Sequence, residues 1–180
     1  MEACDEEVLD DPERKSVPMP IVVDTNVLID GVISLDFKKE RKEKLSAAGR
    51  ILLHIFMGNC QLISIRNTRE EFMTIGRAMK MRGRKKPLTG QEIDFVRRLF
   101  NSGKSVRAKY TSGLLPTEDN ESGDKKFIVA ARRGQARCIV SGDRHLLKLP
   151  SHEGFYDLEV LTPEEFLAEY ERQFETDLKI

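Results

Sequence analysis

The sequence of 180 residues contains no tryptophan and only three tyrosines, so a row of aromatic faces for stacking nucleic-acid bases is not apparent. Its cysteines are few: Cys4, Cys60 and Cys138. An odd number without paired spacing argues against a disulfide framework or a zinc cluster. Cys60 and Cys138 border apolar runs and read as reduced core thiols. No apolar run approaches the roughly 20 residues needed to span a bilayer. The first residues include Glu2, Asp5, Glu6, Glu7, Asp10 and Asp11, unlike the basic start of a secretory signal, and the expected compartment is the cytoplasm. A Gly-rich phosphate loop is missing. So is a nucleophile elbow near His54, His145 or His152, which leaves no attractive Ser-His-Asp arrangement.

Hydrophobic residues make up 39% of the chain, enough at this length for one core. The expected organisation is a loose acidic tail over residues 1–18 and a single domain over 19–180. Net charge is zero, but the charges are segregated. Between Arg77 and Lys109 the only acids are Glu92 and Asp94, set against many bases. Arg82, Arg84, Lys85 and Lys86 are the densest of these and form the expected RNA-binding stretch. Solvated helix faces are the ordinary alternative.

Strand and helix signals alternate. Ile21, Val22 and Val23 lie in an expected first strand over 20–24, and Val27 to Ile33 suggests a short helix behind it. Leu45, Ala48, Ile51, Leu52, Ile55 and Phe56 form a helical stripe, closed by Gly58 and Asn59, residues that tolerate positive φ. This stripe fits a core or, second, a dimer seam. Residues 61–65 read as the second strand. Thr68 to Glu71 matches a capping box, with Thr68 as N-cap and Glu71 at the third helical position. Thr89 to Glu92 repeats the pattern. Val106 suits a short edge strand. A helix opened by Asp124 and ended by Gly134 precedes a strand over 137–140, and a last strand covers 158–161. Thr162, Pro163 and Glu165 then start a final helix. This alternation implies an α/β fold, a three-layer sandwich around a mainly parallel sheet.

Four acids stand at element ends that such a sheet can bring together. They are Asp24 at the end of the first strand, Glu71 in the first turn of the helix after the second, Asp124 opening the helix before the third, and Asp143 directly after the third. Chemistry gathers outside the carboxyl ends of parallel strands. Clustered carboxylates repel unless a cation sits among them, and Mg²⁺ or Mn²⁺ suits a few carboxylates plus waters. Each acid also has an ordinary role open to it. Asp24 and Asp143 can be turn residues, Glu71 can complete its cap, and Asp124 can complement a helix dipole.

The segments Val22 to Ile29, Asp124 to Ala131, Val140 to Leu147 and Leu161 to Leu167 together resemble the PIN (PilT N-terminus) domain family, over about residues 20–170. The resemblance implies a metal-dependent endoribonuclease that hydrolyses RNA phosphodiesters. It implies Asp24, Glu71, Asp124 and Asp143 as catalytic, metal-binding acids for Mg²⁺ or Mn²⁺. Glu70 is the alternative to Glu71. It also implies Asn26 and Ser141 as polar supports that orient a carboxylate or a water. Many compact relatives are toxins of toxin–antitoxin pairs, so the resemblance brings in an antitoxin protein and a homodimer as candidate partners. Three features depart from the family pattern. His145 stands where relatives often carry Asp, the acidic tail has no counterpart, and the Lys-rich stretch at 38–44 is long enough to form part of an entrance. A second reading keeps the fold as a catalytically weak or inactive RNA- or protein-binding module. A third, a phosphatase using Asp24 as nucleophile, is disfavoured because Asn26 stands where a second Asp would be needed.

Overall fold

Met19–Val23 forms β1 at the centre of a five-stranded sheet. The computed structural model describes residues 17–35, 45–78, 87–107, 124–151 and 157–174. The other strands are β2 (Cys60–Ser64), β3 (Lys104–Ser105), β4 (Cys138–Val140) and β5 (Val160–Leu161), in the order β3-β2-β1-β4-β5. Every pairing is parallel. Seven helices are described: α1 (Thr25–Ser34), α2 (Ala47–Phe56), α3 (Arg66–Ala78), α4 (Gly90–Ser102), α5 (Lys125–Gly134), α6 (Arg144–Lys148) and α7 (Pro163–Phe174).

Side chains of a strand alternate between faces, and here both faces are covered. Ile21 and Val23, Leu62, and Cys138 and Val140 enter one core with Leu28, Leu52, Phe72, Leu99 and Phe166, which come from α1, α2, α3, α4 and α7. Val22, Ile63 and Ile139 enter the other with Phe127, Ile128 and Leu146, from α5 and α6. A buried side chain the size of Phe72, with no exposed surface, contributes about 2–3 kcal/mol. The three-layer α/β sandwich expected from the sequence is the one observed, with an all-parallel sheet. Burial pushes the Cys60 thiol up to about 12 and raises Cys138 as well, as befits unreactive core cysteines.

The order of strands reverses direction between β1 and β4, the point at which such sheets open a crevice. Val23 pairs with Val140, and the Asp24 N–H donates to the Val140 carbonyl at 2.9 Å. Whatever follows β1 and β4 is therefore delivered to neighbouring positions.

Some local expectations need correction. Thr68 to Glu71 is not a capping box. The helix starts earlier, at Arg66, and Thr68 is buried inside it. The Thr68 hydroxyl donates to the Ile65 carbonyl at 2.8 Å and accepts from the Ile65 N–H at 3.2 Å. Glu71 thus falls in the second turn, free of any capping duty. Gly134 ends α5 as expected, although the left-handed residue is Gln135 after it, with φ 55°. Gly134 is needed for another reason: a Cβ there would sit 2.1 Å from Ile63 Cγ2, so its absence lets α5 lie down on β2. Gly58 takes φ 85° as expected, whereas Asn59 does not have positive φ. Asp24 is not the last residue of β1 but the N-cap of α1. The capping boxes at Thr89/Glu92 and Thr162/Glu165 form as expected. β3 is an edge strand, extended by the Val106 N–H donating to the Ser64 carbonyl at 2.9 Å. Residues 1–16, 36–44 and 79–86 lie outside the described residues, and with them the acidic tail, the Lys-rich stretch and Arg82, Arg84, Lys85 and Lys86.

Candidate active site

Asp24 stands just beyond the carboxyl end of β1, beside that of β4, and is buried at 4% exposure. One carboxylate oxygen accepts from the Ser141 hydroxyl at 2.8 Å, and the other accepts from the Asn26 N–H at 3.4 Å. Ser141 is itself fully buried and turns the chain after β4, since its Oγ also accepts from the Asp143 N–H at 2.9 Å. One hydroxyl thereby ties the ends of both central strands. Asp143 caps α6 by accepting from the His145 N–H at 2.7 Å. The His145 side chain is exposed. Asp124 precedes α5 in helical conformation, and its side chain makes no capping bond.

Glu71 reaches the same neighbourhood from α3. Its Oε2 accepts from the Thr25 hydroxyl at 2.5 Å, and its Oε1 accepts from Lys126 Nζ at 2.6 Å. Lys126 is buried at 9% exposure and comes from α5, two residues after Asp124. Glu70 points elsewhere: it is exposed and pairs with Arg66 one turn away at 2.6 Å.

The acids feel one another. Burial raises the Asp24 carboxyl above the ordinary Asp value, and the charges of Glu71 and Asp124 push the same way, against the bonds from Ser141 and Asn26. Burial also raises Asp124. Asp143 and Glu71 add to that rise, and the positive charge of Lys126 opposes it. The charges of Glu71 and Asp124 thus reach Asp24, and those of Asp143 and Glu71 reach Asp124, although the four come from different elements. Asn26 contributes its backbone N–H to Asp24.

A PIN-domain sequence profile matches residues 20–145. The chain belongs to the PIN domain family. PIN domains are, in general, metal-dependent nucleases, so membership carries a nuclease-type, hydrolase function. Comparison with curated proteins gave no match. Among the described residues no PIN-domain helix is long and apolar enough to cross a membrane.

The hard oxygen donors suit the divalent ion that this family implies. Among the described residues, no three His, Cys, Asp or Glu side chains are gathered closely enough to enclose an ion. Asp24 is turned to Ser141, and Glu71 to Thr25 and Lys126. Thr25 and Lys126 were not singled out in the sequence. Thr25 sits inside the Asp-Thr-Asn motif, where turn chemistry accounts for it. Lys126 looks like any lysine on a helix, and its burial has no local signature.

Proposed function

We propose that this PIN domain is a metal-dependent endoribonuclease using Mg²⁺ or Mn²⁺. The observation that carries the reading is the buried Asp24 beyond the end of β1, held by the Ser141 hydroxyl that also accepts from the Asp143 N–H. In this reading Asp24, Asp124 and Asp143 would be the acids through which an ion, still carrying waters, is bound one or two at a time, and Glu71 is preferred to the solvent-facing Glu70 as the fourth acid. A divalent ion bound there supplies positive charge to the phosphodiester and acidifies water for attack. Ser141 fixes the rotamer of Asp24 and the turn that carries Asp143, so both carboxylates are set before substrate arrives. Arg66, Arg107 and Arg144 follow the carboxyl ends of β2, β3 and β4 and are exposed. By charge they suit the phosphate backbone of RNA, as Arg82, Arg84, Lys85 and Lys86 do. Such contacts position a strand without reading its sequence.

The test is RNA cleavage by Asp24→Asn and Asp143→Asn variants, with and without Mn²⁺, after circular dichroism has shown both to be folded. Loss of cleavage is expected in both. Undiminished cleavage would reject the assignment. A second reading, a catalytically weak binding module, is favoured by one observation: Lys126 already occupies Glu71. A wild-type chain that binds RNA but no Mn²⁺ would support it. The toxin role, an antitoxin partner and a homodimer rest on the likeness to compact family members. Co-purification with a neighbouring gene product and sedimentation of the pure chain would test them.

A further inference from the structure

We infer that Lys126 and Thr25 are positioning residues that hold the Glu71 carboxylate in the acidic site, and that Glu71 acts fully only when so held. The inference rests on the nuclease reading above and deepens it.

Glu71 lies in the second turn of α3, where an unheld glutamate side chain samples several rotamers. Here its Oε1 accepts from Lys126 Nζ at 2.6 Å, and its Oε2 accepts from the Thr25 hydroxyl at 2.5 Å. Both partners are fixed in turn. Thr25 is buried, and its branched Cβ restricts χ1. The Lys126 side chain is 11% exposed, and its Nζ lies 4.9 Å from the centroid of the Phe127 ring, whose face favours a cation. Their places in the chain matter as much. Thr25 directly follows Asp24, and Lys126 stands two residues after Asp124. Bonds to both therefore register Glu71 against the stretches that carry two of the other acids, across α1, α3 and α5. In keeping with this, the charge of Glu71 is felt at Asp24 and at Asp124. Each carboxylate oxygen keeps a further lone pair, so a held Glu71 can still accept from a water or another group. Stability alone does not account for the pair. Taking an ammonium out of water is costly, and apolar residues of similar volume often serve a core as well or better. What the lysine supplies, and an apolar side chain would not, is a fixed direction for the Glu71 carboxylate.

The test is steady-state cleavage of a labelled single-stranded RNA by the full chain in Mn²⁺, with urea denaturation of the same proteins. Lys126→Met is expected to lower kcat about tenfold and leave KM unchanged, the scale of losing a group that orients a catalytic one. Lys126→Arg, which keeps the charge and the donors, is expected to recover most of that loss. In a Glu71→Gln background, Lys126→Met is expected to cost nothing further in kcat, because its effect passes through Glu71. In urea, the double variant is expected to lose less than the sum of the two single shifts in midpoint, because neither charge is left buried alone. Wild-type turnover in Lys126→Met, losses that multiply in the Glu71→Gln background, or additive urea shifts would overturn the inference while leaving the nuclease reading intact. No cleavage by the wild type would overturn the nuclease reading and the inference with it. Should Lys126→Met fail to fold, Thr25→Val, which removes the other donor at nearly constant volume, takes its place, and the same outcomes decide.

Discussion

Two stretches of this chain carry the same local pattern, a threonine followed three residues later by a glutamate, at the start of two helices on the same face of the sheet. At α4 the pattern does what its chemistry favours. Thr89 accepts from the Glu92 N–H at 3.3 Å, and Glu92 accepts from the Thr89 N–H at 2.5 Å. At α3 it does not. The chain leaves β2 and enters the helix already at Arg66, so Thr68 bonds back to Ile65 while Glu71 turns to Thr25 and Lys126. The difference lies in what surrounds each glutamate. The start of α4 is met by its own backbone, whereas Glu71 finds a buried ammonium from α5 and a hydroxyl from α1. A local motif is a default that a stronger distant partner overrides.

The contrast is best broken at the glutamates. Glu71→Gln is expected to lower RNA cleavage roughly 100-fold, the scale of losing one electrostatic element of a catalytic site. Glu92→Gln should leave cleavage unchanged, since an amide still completes the cap. Equal losses in a quantitative cleavage assay would mean that Glu71 has no special place. Next in size is Gly134→Ala. A methyl group meeting Ile63 must push α5 off β2, at an expected cost of about 2–3 kcal/mol in urea denaturation. It should also weaken cleavage, because α5 carries Lys126 and Asp124. An unchanged midpoint would show that the helix has room to spare.

Double-mutant cycles sharpen the comparison further. Thr89→Ala combined with Glu92→Ala should show a coupling of about 0.5–1 kcal/mol, as residues in one hydrogen-bonded cap do. Thr68→Ala with Glu71→Ala should show almost none, as they share no bond. A coupling of similar size in the two cycles would restore the capping box at α3.

Acid titration gives a smaller contrast. Asp24 and Asp124 are raised in the folded chain, so the native state holds extra protons above the ordinary Asp value of 3.8. The stability they contribute is fully present below that value and is lost as pH rises through their folded values. In metal-free protein the advantage of Asp24→Asn over wild type should therefore grow from acidic to neutral pH. A constant difference in denaturation midpoint would contradict the raised carboxyl. Smallest of all is Arg66→Ala, which removes the exposed partner of Glu70. Its melting temperature should match that of wild type, since such surface pairs contribute little.

Much of the fold was legible because its signals are short-range. The β-branched runs, the Thr-Pro-Glu-Glu start of α7 and the Thr89 cap each depend on neighbours within a turn. The position of Asp24 just beyond a central strand was legible from the β-branched run before it. Gly134 was legible as the end of a helix, but its close approach to Ile63 was not, because Ile63 is far away in sequence. Lys126 was passed over because burial of a lysine leaves no trace in the residues beside it.

Alternation within the strands and the chemistry of the caps belong to the sequence, since backbone geometry alone links each residue to its neighbours there. The tertiary structure decided that Glu71 and not its neighbour Glu70 meets Thr25 from α1 and the buried Lys126 from α5, and that Ser141 bonds Asp24. Those outcomes depend on how closely α3 and α5 approach across β1 and β2, a distance fixed by core packing and by the missing side chain at Gly134.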